Sequence, residues 1–109
     1  MDMSKGYIFA ELDVTDSERF YSEYMTRVGP VLERYGATFL IAGGDPEVVE
    51  GGRTVKRVVL LEFETRQHAK NFYYSEAYQE IIDYRFQSAR SHLYFLAGVA
   101  PDQPAHRAT

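Results

Sequence analysis

The sequence predicts an α+β fold, a ferredoxin-like β-α-β-β-α-β sandwich in which a four-stranded antiparallel sheet carries two helices on one face. Three patterns predict it. Residues Tyr7 to Val14 alternate between apolar and mixed positions, as a strand with two different faces does. Phe20, Tyr24, Val28, Val31 and Tyr35 recur at steps of three and four, the spacing of one helical face. Strand-like runs at Ala37 to Ala42 and Lys56 to Glu64 then precede a second helical region, about Arg66 to Ala89, and Ser91 to Val99 follows it as a fourth strand.

In the first strand Ile8, Ala10, Leu12 and Val14 point one way, and Tyr7, Phe9, Glu11 and Asp13 the other. The first helix opens at Thr15-Asp16-Ser17-Glu18, where Thr15 and Glu18 have the spacing of a capping box. Gly29-Pro30 interrupts it. Pro30 removes one helical hydrogen bond and crowds the preceding turn, which predicts a kink. Gly36 is placed to close the helix in a left-handed conformation. Gly43-Gly44-Asp45-Pro46 is a turn signal after the second strand, and Glu47 to Glu50 offers an extension of that strand. Gly51-Gly52 turns the chain into the third. The second helical region presents Ala69, Phe72, Tyr73, Tyr78, Ile81, Ile82, Arg85 and Phe86 inward, with a break at Ser75. Residues 1–99 are expected to form one domain and the Pro- and Ala-rich 100–109 a flexible tail.

Composition narrows the function classes. At 109 residues one core is the default. The chain is 45% apolar, with nine Tyr and seven Phe, more than a small monomer conveniently hides, so self-association is expected. With no cysteine, disulfides, thiolate metal sites and Cys nucleophiles are excluded. The polar N-terminus leads straight into a strand, and no apolar run approaches the roughly 20 residues that cross a bilayer. A soluble, cytoplasmic protein is therefore expected. A net charge of −4 repels nucleic acid and anionic membranes.

The helix-facing sets are Ile8/Ala10/Leu12 and Val59/Leu61/Phe63. The opposite sets, Tyr7/Phe9/Glu11/Asp13 and Val58/Leu60/Glu62/Glu64, mix bulky apolar groups with carboxylates. Such a face calls for partial cover, and a second copy of the sheet is the simplest cover, so a homodimer through the non-helical face is expected.

The chain resembles the uncharacterised bacterial proteins grouped as domain of unknown function 1330. The resemblance runs from Gly6 to Gly98. It rests on Asp16-x-Glu18-x-Phe20, Tyr35-Gly36-Ala37-x-Phe39-Leu40, Gly43-Gly44 with Glu50-Gly51, Leu61-Glu62-Phe63, Ala69-x-x-Phe72-Tyr73-x-Ser75-x-x-Tyr78, and Arg85. It implies the dimeric α/β-barrel arrangement, two sheets facing each other across a dimer axis, and no established activity. Relatives in the wider barrel group include cofactor-free monooxygenases, isomerases and haem-handling enzymes, so the architecture selects no chemistry. This chain departs from the pattern twice. Glu64-Thr65 stands where the family usually has Pro-Ser, and Ala97-Gly98 where it usually has Glu-Gly. Any chemistry resting on that last carboxylate would be absent here.

Glu11 and Glu62 are the catalytic candidates. With strands one and three taken as parallel neighbours, the two carboxylates project together from the non-helical face, where mutual repulsion would make one an acid beside a base. The plainer reading pairs both with Arg or Lys at a wet rim. His92, opening the fourth strand, is a weaker candidate base. Arg85 sits on an apolar face and needs an anionic or carbonyl partner, either a sheet Glu or a carboxylate-bearing ligand. Tyr24, Tyr73 and Tyr78 face inward with hydroxyls that need partners, in core packing or around a ligand. Ser75 lacks a nucleophile elbow and reads as a cap, or at most as a pocket residue. His68, His92 and His106 lack metal-ligand spacing, so no metal is expected. Gly43-Gly44 leads into no phosphate-binding helix, so no nucleotide cofactor is expected. The favoured function is binding a small organic molecule between sheet and helices, with its transformation as an extension of that role. The alternative is a non-catalytic structural or protein-interaction dimer. RNA recognition, which shares the strand order, is disfavoured by Glu62 and Glu64 on the face that would need basic and aromatic groups.

Overall fold

The computed structural model describes residues 4–100. Apart from Ala100, the expected tail and His106 lie outside the described residues. The elements are β1 (Gly6–Val14), α1 (Ser17–Arg19), a π-helical segment (Phe20–Met25), α2 (Thr26–Arg34), β2 (Thr38–Gly43), β3 (Arg57–Phe63), α3 (Arg66–Tyr73), α4 (Glu76–Gln79), α5 (Ile82–Ser88) and β4 (Ala89–Ala97). The strands pair in the order β2-β3-β1-β4. Every neighbouring pair is antiparallel. This is the ferredoxin-like sheet that the alternation predicts, with the helical segments gathered on one face.

Alternation along β1 explains the layering. Ile8, Ala10 and Leu12 are buried, while Tyr7, Phe9, Glu11 and Asp13 are half-buried on the side that carries no helix. Leu61 and Phe63 of β3 join the buried set, and Phe20, Tyr24, Val28, Leu32, Ala69, Phe72, Tyr78 and Ile82 close over it from the helical layer. Each fully buried ring or branched side chain contributes roughly 1.5–3 kcal/mol through the water it sheds.

Several expectations need correction. β3 runs antiparallel to β1, with Tyr7 opposite Glu62 and Glu11 opposite Val58. The β2–β3 connection reverses the chain, which alternation alone does not report. The first helix is capped by the Asp16 side chain, which accepts from the Arg19 N–H, while the Thr15 N–H goes instead to the Ser88 carbonyl. Irregularity in this helix falls on the π segment upstream of Pro30, which itself sits within α2. The buried positions are consequently Phe20, Tyr24, Val28 and Leu32, spaced by four throughout. A wider turn offsets the rotation that would otherwise have brought Val31 inward. Residues 47–50 form no strand. The second helical region is three short helices, and Phe86, expected inside, is 57% exposed. Ser75 does mark a break: its side chain caps α4. Gly36 closes α2 at φ +72°, the left-handed conformation foreseen.

Gly6 is where β1 meets the turn into α3. A Cβ there would lie 2.3 Å from the backbone of Thr65 and Arg66, which cannot yield as a side chain can. Gly6→Ala is expected to lower the unfolding free energy by about 2–3 kcal/mol, read as a lower urea midpoint at unchanged slope.

Candidate functional site

A chain of buried polar groups crosses the helical layer. The hydroxyls of Tyr24, on the π segment, and Tyr78, on α4, are 2.7 Å apart. Arg85 Nε donates to Tyr78 Oη at 3.1 Å, and Arg85 Nη1 donates to Ser91 Oγ on β4 at 2.7 Å. Local structure aims these groups. Ser75 accepts from the Tyr78 N–H and donates to the Phe72 carbonyl, fixing where α4 begins. The Ser88 carbonyl receives the Thr15 and Asp16 N–H groups, tying the end of α5 to the start of α1.

Arg85 is 4% exposed. Among the described residues no Asp or Glu forms an ion pair with it, so the sheet carboxylate expected as its partner is not there. Its guanidinium instead lies 5.0 Å from the ring centroid of Phe86. Among the described residues only Nε and Nη1 of this guanidinium donate hydrogen bonds. Yet among the described residues no fully enclosed side-chain nitrogen or oxygen lacks a partner. Nη2 therefore borders space that a small polar molecule can reach. Burial opposes the Arg85 charge, but the neighbouring Tyr78 and Tyr24 oxygens outweigh it and hold the guanidinium above its ordinary range, a fixed cation. Burial, then Tyr78, push Tyr24 well above the ordinary phenol value of 10.0 despite the opposing Arg85 charge, so it stays a neutral hydroxyl.

Arg85 also lines a cavity of about 60 Å³ between sheet and helices. Leu12, Val59, Leu61 and Leu93 form its floor, and Phe20, Met25, Val28, Leu32 and Phe72 its roof. Tyr24, Tyr73, Tyr78 and Arg85, all expected at a ligand site, line it together. Sequence reasoning missed two participants, Arg57, which lines the same cavity, and Ser91. The helix-facing alternation Arg57/Val59/Leu61/Phe63 contained the signal for the first. The second needed the cross-strand register.

The remaining candidates are elsewhere. Glu11 and Glu62 stand four residues apart along the β1–β3 register and do not meet. Glu62 accepts a hydrogen bond of 3.1 Å from Tyr7 Oη, and desolvation followed by this contact raises the Tyr7 phenol. Glu11 pairs with Arg53. His92 is directly across from Glu11 on β4. Glu11, Asp13, Arg53, Lys56, Arg90 and His92 line an open cleft of about 440 Å³ on the non-helical face. His68 meets the Thr65 hydroxyl at 2.6 Å. Among the described residues no group of three His, Asp or Glu could hold a metal ion, and no helix is long and apolar enough to cross a membrane.

Comparison with known proteins agrees with the fold. The family model described as a domain of unknown function (DUF1330) matches residues 5–99. No curated protein matches. A crystal structure of RPA0582, a protein of unknown function from Rhodopseudomonas palustris, superposes with a TM-score of 0.72 at 19% identity, covering 91% of this chain and 85% of that one. The methylated form of RPA0582 gives a TM-score of 0.71 at 19% identity, over 92% and 84% of the two chains.

The hydroxyl chain is testable through its middle member. Tyr78→Phe strands both Arg85 Nε and the Tyr24 hydroxyl and is expected to cost about 2–3 kcal/mol, against about 1 kcal/mol for Tyr24→Phe. Urea unfolding of the two variants compares them. Because folding raises the Tyr24 value, its stabilisation is complete below pH 10.0 and is lost as pH rises above it. Unfolding free energy should fall across that range, less steeply in Tyr24→Phe.

Proposed function

This chain belongs to the DUF1330 family, and we propose that it binds a small organic anion in the cavity between sheet and helices, its carboxylate held by Arg85. One observation carries the reading, a guanidinium that is 4% exposed, has no carboxylate partner among the described residues, and borders an apolar cavity. An uncompensated buried charge costs several kcal/mol, and an anionic ligand offsets that cost where a hydrocarbon ligand does not. The apolar walls suit a hydrocarbon body, and the neutral Tyr24 hydroxyl beside Tyr78 leaves the local charge positive. Nothing in the arrangement requires a metal or a nucleotide.

A homodimer through the non-helical sheet face is part of the same proposal. Leu60, Phe9 and Tyr94 form one cross-strand row there. The rings of Phe9 and Tyr94 stack with centroids 6.2 Å apart, and Tyr94 and Leu96 are 47% and 44% exposed. A band of this kind supports association once about 800 Å² per partner is covered. The same row would serve a purely structural dimer, and the two roles do not compete.

Thermal-shift measurements with small carboxylates of graded size test the binding reading. Saturating ligand is expected to raise Tm by about 5 °C or more, and Arg85→Gln, checked for folding by circular dichroism, to abolish the rise. Failure of every carboxylate to stabilise the wild-type protein, or an undiminished rise in Arg85→Gln, sinks it. For the dimer, sedimentation at micromolar concentration should show a two-subunit particle that Phe9→Asp converts to one subunit. A monomeric wild-type protein rejects the interface.

A further inference from the structure

Arg57 is the first residue of β3, and the alternation of that strand places it on the helix-facing side with Val59, Leu61 and Phe63. It is directly opposite Leu12 of β1, and Leu12 is directly opposite Ser91 of β4. Residues facing each other across antiparallel strands project to the same side. Arg57, Leu12 and Ser91 therefore make one row beneath the helices. Arg85 is bonded to Ser91 at the far end of that row. Arg57 and Arg85 thus lie on opposite sides of Leu12 and line a single cavity, with the Arg57 guanidinium reaching toward Gly43 of β2.

Arg57 has the same missing partner as Arg85. Among the described residues it joins no ion pair. Its guanidinium carbon lies 5.9 Å and 5.4 Å from the ring centroids of Phe20 and Tyr21. Stacking uses the face of the group and leaves its in-plane N–H donors for an anion. The chain has 16 acidic residues against 12 Lys and Arg, yet the cavity lining contains two arginines and no carboxylate. Two like charges on apolar walls repel each other and lose hydration together, and one anion neutralises only one of them.

We infer that the ligand is a short dicarboxylate, one carboxylate on Arg85 and the second on Arg57, with its hydrocarbon spacer over Leu12. This rests on the organic-anion reading of Arg85. The Arg57 guanidinium lies beside Gly43 of β2 and that of Arg85 at Ser91 of β4, three inter-strand steps or ~14 Å apart, which after two guanidinium–carboxylate contacts leaves a spacer of about four carbons.

Calorimetric titration of the full chain at pH 7 with matched pairs, butyrate against succinate and hexanoate against adipate, separates the two claims. In the wild-type protein the diacid of the better-fitting pair is expected to bind about tenfold tighter than its monoacid. Arg57→Gln, with Arg57→Met as a second variant that keeps the stacking bulk, should bring the diacid down to monoacid affinity, about a tenfold loss, while the monoacid changes by a smaller factor. Arg85→Gln should weaken both. If monoacids bind as well as diacids, or if the Arg57 variants weaken both equally or neither, the second anion position is rejected while the Arg85 reading stands. If neither class binds, both readings fall.

Discussion

The structure is organised around one cation buried without an acidic counterpart among the described residues. Arg85 loses nearly all its hydration, and the protein answers with two hydroxyls and a ring instead of a carboxylate. Those partners come from α4, β4 and α5 itself, and Tyr24 reaches the same network from the π segment. Each segment must hold its place for the charge to remain tolerable, because a stranded guanidinium costs several kcal/mol. A continuous helix from Arg66 to Ser88 would carry its side chains around a fixed spiral. Tyr78 and Arg85, seven residues apart, would share a face of such a helix, and the break after Tyr73 brings Phe72 onto the same interior.

The two faces of the sheet treat charge differently. On the open face, acids have basic or phenolic neighbours: Glu11 with Arg53, Asp13 with Lys56 at 3.4 Å, Glu62 with Tyr7. Most of these groups are at least partly exposed, and such pairs contribute little to stability. On the helical face the charges are two arginines without acids, in surroundings where the same electrostatics are far less screened.

Much of this was legible in the residues. Alternation in β1 and β3 identified the buried sets, because period-two patterns report which face a side chain takes. Such patterns do not report strand direction, so Glu11 and Glu62 looked like neighbours when the reversal between β2 and β3 sets them four positions apart. A regular period of 3.6 selected Val31, and the π segment substituted Leu32. Arg85 was recognisable as a charge on an apolar face. Its partners were not, since Ser91 meets it only through the pairing of β4 with β1. Arg57 escaped notice because a charge at a strand terminus ordinarily points to water.

The edge strand has a consequence for access. β2 pairs on one side only, its register shifts between Phe39 and Ile41, and Thr38 to Ala42 are exposed. Phe39 and Ala42 nevertheless wall the cavity. The enclosure is thus least secure where it borders the cheapest part of the sheet to fray, and fraying there requires no global unfolding. Amide protection in β2 and the parting of the cavity wall become two views of one equilibrium, because the strand's breathing sets how often Phe39 and Ala42 leave that wall.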